Sequence, residues 1–276
     1  MSRRERRQNP PPEYLKQFDD VPRGAENITL EDWAPALIKH ISYDAQLTTI
    51  RVLLYRLRKH DKELDDKIER SNQYQGPHKD RAVDDWVDLV HDSFYQGAAH
   101  SMAAVGMLAP FMESIFCGGF ETICEELFDD DNPPYDAHPH ARWENAAKSE
   151  WDCHFVYNRG RREKNLVEGV FQLAKAVGWH PYLPKDLKPT MKALFGYRNR
   201  MFHWGFEWPP EQCKAFAKFI ADEKWPSDWF ATATHDGNPW ILYLTDVFVD
   251  HCIDLIGQVV KSIGAYVEAE LKAECL

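Results

Sequence analysis

The chain has 276 residues, a formal net charge of −11 and 44% apolar side chains. That is enough apolar surface for a packed core, and the acidic balance excludes a general nucleic-acid coat protein. Six cysteines, at 117, 124, 153, 213, 252 and 275, have no paired spacing and follow no secretory segment, so they read as free thiols in a reducing cytoplasm.

Residues 1–25 are rich in Arg and Pro and read as a loosely docked tail, with Asn9-Pro10-Pro11-Pro12 in the middle. Thr29-Leu30-Glu31-Asp32 resembles a capping box, and a short helix is expected from there to about Ile41. From Tyr43 to about Ser71, Leu47, Ile50, Leu54, Leu57, Leu64 and Ile68 recur by threes and fours, with Asp61 in the missing step. This pattern predicts an amphipathic helix, ended by Gln73 to Pro77. A second long helix is expected from about Arg81 to Ala109. Its middle, Gly97 to Ala104, is rich in small residues that let another backbone come close. Pro110 kinks or restarts that helix, which continues to Leu127. The most apolar stretch, Met102 to Met112, is too short to span a bilayer, and no membrane is expected.

An acidic loop follows over 129–139. The segment 141–162 has no clear pattern, although its Trp and Phe residues indicate packing and Asn158 to Arg162 reads as an exposed basic turn. Helices are expected over Glu163 to Val177, from about Pro189 to Gly205, and over about Glu211 to Lys224. The last helix is expected to begin with Asn238 as cap and Pro239 in the first turn. Its stripe is Leu244, Phe248, Cys252, Ile256, Val259, Ile263 and Val267. Phe230 to Thr234 is the only short candidate for extended structure.

The stretch Gly196 to Trp208 concentrates chemistry. Arg198, Asn199 and His203 sit among aromatics, and Arg198 is the only arginine with a histidine five to seven positions after it. Asn199 and His203 are one helical turn apart. Arginine suits a spread negative charge and histidine suits proton transfer near neutral pH. From Asn158 to His203 the chain holds ten Lys or Arg against three acids, a net of +7 that leaves −18 to the remainder. Arg159, Arg161, Arg162, Lys192 and Arg200 in this island are the candidate contacts to a polyanion. A solvated helix face is the equally weighted alternative.

Arg198-Asn199-Arg200-Met201-Phe202-His203 resembles the motif of the HEPN superfamily: arginine, a polar residue, then histidine on a late helix of an all-α bundle. The resemblance implies a metal-independent endoribonuclease that works as a homodimer with two motifs facing each other. Arg198 and His203 would be catalytic and Asn199 supporting, with no cofactor and no metal. The implied partners are RNA, tRNA included, a second copy of the chain, and a neutralising or activating protein. The implied setting is a toxin or antiviral-defence effector. The expected fold is an all-α antiparallel bundle with a long N-terminal helical hairpin. The expected organisation is the tail over 1–25, the hairpin segment over 26–80, and a HEPN-like bundle over 81–276.

Two other readings stay open. One is a non-catalytic dimer of this fold that binds a nucleotide or a protein. The other is a metal-dependent phosphohydrolase, suggested by the doublets His60-Asp61, His91-Asp92 and His235-Asp236. His138-Pro139-His140 and the Cys117/Cys124 pair lack the spacing of a metal site. Tyr95, Trp204, Trp208 and Trp240 are candidates for stacking bases, with core packing as the bland alternative.

Overall fold

The computed structural model describes residues 42–127, 140–143, 151–158 and 161–274. The expected tail, the helix to Ile41, the acidic loop and Arg159 lie outside them. Helix α1, Tyr43–Asn72, follows its apolar seam as expected. Leu47, Ile50 and Leu54 are buried, whereas Leu57, Leu64 and Ile68 are only half-buried. Helix α2, Lys79–Leu127, runs through Pro110 without a break. The pair is antiparallel. Tyr43 packs on Phe111, the Asp61 carboxylate accepts from Gln96 and meets His100, and the Ser71 hydroxyl donates to the Ala82 carbonyl. The α2 segment Lys79–Glu125 is long and apolar enough to cross a membrane by composition, but 56% of its most apolar window is buried inside the protein. The expectation that this region is too short to span is thus corrected for length, because the apolar run continues past Pro110.

The remaining helices are α3 (Leu166–Ala176), α4 (Leu187–Trp204), α5 (Pro210–Glu223) and α6 (Asp246–Glu274). The described chain is mostly helical, with two small antiparallel hairpins. Strands β1 (Phe155–Asn158) and β2 (Arg161–Lys164) occupy the segment that had no clear pattern. The expected helix start at Glu163 moves to Leu166, because Asn165 is extended and its side chain caps the Glu168 N–H at 3.1 Å.

The candidate extended run is strand β3, Phe230–His235. Asn238 and Pro239 do not start a helix. They open strand β4, Asn238–Leu244, which pairs with β3. The two-residue turn between them, Asp236-Gly237, has positive φ at both positions (50° and 75°), the geometry of a tight hairpin. The last helix therefore begins at Asp246; the expected stripe is buried throughout, but its first member, Leu244, belongs to β4.

The backbone that approaches the small residues of α2 is β4. A Cβ on Gly97 would stand 3.5 Å from the Tyr243 ring, and the buried Ser101 hydroxyl accepts the Leu244 N–H at 2.8 Å. Trp179, fully buried, joins α2 to α6: it packs on Phe116, Phe120 and Tyr266, and its indole N–H donates to Ser262.

Candidate active site

Helix α4 carries the Arg198–His203 motif. Pro189 sits in its first turn and the Thr190 hydroxyl donates to the Asp186 carbonyl, both compatible with a helix start. Gly205, at φ 74°, closes its end with an N–H to Met201. One face, including Leu187, Met191, Leu194, Tyr197 and Met201, is buried. The Tyr197 hydroxyl donates to the Leu242 carbonyl at 2.8 Å, which fixes the helix against β4. The other face exposes Asn199, Phe202, His203 and Trp204. Phe202 is 61% exposed and Trp204 41%, unusual for large apolar side chains.

Five helical steps of 100° set Arg198 and His203 roughly 140° apart around the axis. The two side chains accordingly have different surroundings. His203 makes no hydrogen bond among the described residues, and its ring lies edge-on to Trp204 at 4.5 Å. Arg198 is half-buried. Its Nη1 donates to Glu113 of α2 at 3.1 Å, its Nε donates to the Asn199 side-chain oxygen at 3.2 Å, and its guanidinium lies near the Phe195 ring. Its Nη2 makes no hydrogen bond among the described residues.

Glu113 leads to groups that the motif reading missed. Its other oxygen meets His154 Nε2 at 2.7 Å, and His154 Nδ1 meets Asp152 at 2.7 Å. The far oxygen of Asp152 lies 3.5 Å from Arg162. The result is a row of alternating charge: Arg198, Glu113, His154, Asp152, Arg162. Burial disfavours the imidazolium, but hydrogen bonds to Glu113 and then Asp152 outweigh it and hold the His154 pKa above its ordinary value. For Asp152, burial again opposes the charge, and the His154 backbone and ring bonds win, leaving its pKa lowered. One signal in the sequence pointed here: Glu113 is the only Asp, Glu, Lys or Arg between Asp92 and Glu121.

The turn bearing Asp152 and His154 is built tightly. Buried Arg142 donates to the carbonyls of Phe155 and Asp152 and to the Gln172 side chain. Gln172, on α3, also accepts the Tyr157 N–H and donates to the Tyr157 carbonyl, as a neighbouring strand would. Cys117, one helical turn beyond Glu113, brings its sulfur to 3.6 Å from that of Cys153. A hydrogen bond from Cys153 lowers the Cys117 pKa, with help from the His154 charge against burial, while that same bond and burial raise the pKa of Cys153.

The basic island divides. Lys192 is ion-paired to Glu223 on α5 at 2.9 Å. Arg200 bonds the Gly196 carbonyl, and its guanidinium packs over Phe216 and Phe219. Arg162 lies on the Phe155 ring. Arg161 is exposed on β2.

Two of the three histidine doublets approach each other, with the His91 and His235 rings 6.4 Å apart, but they do not assemble into a group of three metal-ligating side chains among the described residues. Asp61 engages His100, while His91 meets the His235 and Trp240 rings. Among the described residues the group of three metal-ligating side chains is Cys117, Cys153 and His154 instead. Trp208 is core, packed on Tyr197 and Phe216, whereas Tyr95 stays exposed and donates to Glu207. Comparison with known proteins finds no family model, no curated protein and no solved structure that matches the chain.

Proposed function

We propose that the chain is a metal-independent endoribonuclease of HEPN type, acting as a symmetric dimer. The observation that carries this reading is the exposed turn of α4. Asn199 and His203 face outward together, flanked along the helix by the exposed Phe202 and Trp204, and Arg198, which bonds Asn199, keeps Nη2 unengaged among the described residues. A twofold axis near this face would bring two such turns together, so that two copies of a sparse motif build one site.

The ribose 2′-oxygen attacks the adjacent phosphorus, and the bond from phosphorus to the 5′-oxygen breaks. One His203 takes the 2′-hydroxyl proton and the other protonates the leaving 5′-oxygen. Arg198 holds the charge that builds on the non-bridging oxygens. Glu113 and Asn199 keep the guanidinium in place. The products are a 2′,3′-cyclic phosphate and a 5′-hydroxyl. The resemblance on residues 198–203 supports a toxin or antiviral-defence role, with a neutralising or activating partner protein.

The test is digestion of end-labelled tRNA and single-stranded RNA without added divalent ions, comparing wild type with His203→Ala. Wild-type cleavage that leaves cyclic phosphate ends, and its loss by at least about 100-fold in the variant, is the expected result. Equal cleavage by both, or products with 5′-phosphate ends, contradicts the mechanism. A second reading, a non-catalytic dimer that binds a nucleotide or a protein, is favoured by one observation: the Arg198–Glu113 ion pair already offsets the cation. It predicts no cleavage of any RNA and a nucleotide or protein retained by the purified dimer.

A further inference from the structure

The geometry points to a structural zinc-type site formed by Cys117, Cys153 and one ring nitrogen of His154, with a carboxylate of Glu113 or Asp152 completing the shell. The observations that carry it do not depend on the RNA-cleavage reading, although the two share Glu113, the partner of Arg198. The ligand atoms of the three residues all lie within 4.8 Å of one another.

Two thiolates on a tetrahedral zinc, each about 2.3 Å from it, stand about 3.8 Å apart. The two sulfurs here are 3.6 Å apart, close to that edge, whereas a disulfide needs them at about 2.0 Å. Both cysteines are free thiols. Sulfur with imidazole is the ligand chemistry that selects zinc over the hard cations.

The surroundings also fit. Each His154 ring nitrogen meets a carboxylate at 2.7 Å. When one nitrogen turns to the ion, the carboxylate it leaves stands beside the open fourth position. The other carboxylate stays on the remaining N–H and orients the ring, as the outer partners of zinc-bound histidines do. Thiol and imidazolium protons go to solvent on binding. Arg198, Arg162 and Arg142 surround the cluster and offset the thiolate and carboxylate charge.

The site joins two distant pieces of chain. Glu113 and Cys117 lie one turn apart on α2, and Asp152 to His154 lead into β1. A bound ion would pin the β1 turn to the helix that carries the partner of Arg198.

The experiment uses the full chain, reduced and stripped with a chelator, then titrated with Co²⁺ and displaced with Zn²⁺. The expected result is one Co²⁺ per chain, with a thiolate-to-cobalt charge-transfer band in the near ultraviolet. Cys117→Ser, Cys153→Ser and His154→Ala each weaken binding at least ten-fold, while Cys124→Ser, on the same helix, binds as wild type. A second readout needs no variant: zinc slows alkylation of Cys117 and Cys153, read by peptide mass spectrometry. A titration without the band, a band unchanged by Cys117→Ser, or equal alkylation with and without zinc overturns the proposal.

Discussion

At the scale of single residues, the proposed function gives Arg198 two separable tasks. Its ion pair with Glu113 contributes little to stability, because both side chains are about a quarter to a third exposed and water screens them. A double-mutant cycle of Arg198→Ala and Glu113→Ala, read from denaturant midpoints, is expected to give a coupling of about 1 kcal/mol or less. Cleavage should respond very differently. Arg198→Ala is expected to lose activity far beyond what that coupling explains, and Arg198→Lys should not restore it, since lysine cannot hold Glu113, Asn199 and a phosphate oxygen with one fixed fork. Recovery of full activity by the lysine variant would remove the forked-contact role. Trp179 tests the core instead. Its replacement by alanine is expected to cost about 3–5 kcal/mol in urea unfolding, since a fully buried ring between α2 and α6 leaves a void.

At the scale of elements, the tightest fit is α3 on the turn before β1. A Cβ on Gly169 would stand 2.2 Å from the Cys153 carbonyl oxygen and 2.7 Å from that of Phe155, both backbone atoms. Gly169→Ala is therefore expected to destabilise the protein by about 1–3 kcal/mol and to slacken the Cys153–His154 turn, seen as faster amide exchange across 153–157. Gln172→Leu should cost about 1–3 kcal/mol as well, because it removes the amide that bonds the Tyr157 N–H, the Tyr157 carbonyl and one Arg142 nitrogen. These elements also show what the sequence could reveal. The α1 seam, the Pro189 start of α4 and the α6 stripe were legible, since each follows the helical period over several turns. Strand β4 was not. Asn238-Pro239 carries helix-cap chemistry, and the apolar run Trp240 to Leu244 does not alternate, yet Asp236-Gly237 was a hairpin signal in plain view. The charged row from Arg198 to Arg162 was illegible for another reason: its members come from α4, α2, the turn before β1 and strand β2, and no local spacing joins them. Only the solitary Glu113 in an apolar helix hinted at a distant partner.

At the scale of the whole molecule, the acidic balance of the chain constrains the RNA contact that the proposed function requires. Of the candidate contacts among the described residues, Lys192 and Arg200 are engaged with α5, which leaves Arg161, together with Arg162 and Arg198 that each also meet one carboxylate, as three phosphate contacts per protomer. The slope of log affinity for single-stranded RNA against log salt is then expected near −2 per protomer, and a slope near zero would place the RNA elsewhere. Phe202→Glu and Trp204→Glu are expected to shift the mass seen in light scattering from dimer to monomer and to abolish cleavage together, because charges on these exposed rings oppose their burial. Arg58 on α1 meets Asp246 and Asp250 on α6 at 2.7 and 2.8 Å, groups 188 and 192 positions later. Tyr197 likewise waits for Leu242. On a ribosome adding about 5–20 residues per second, α1 would be out for roughly 10–40 s before its α6 partners are made. The motif helix lacks its β4 partner for a shorter time, 45 residues or roughly 2–9 s, during which a nascent chain exposes its His203 turn before β4 holds it in place.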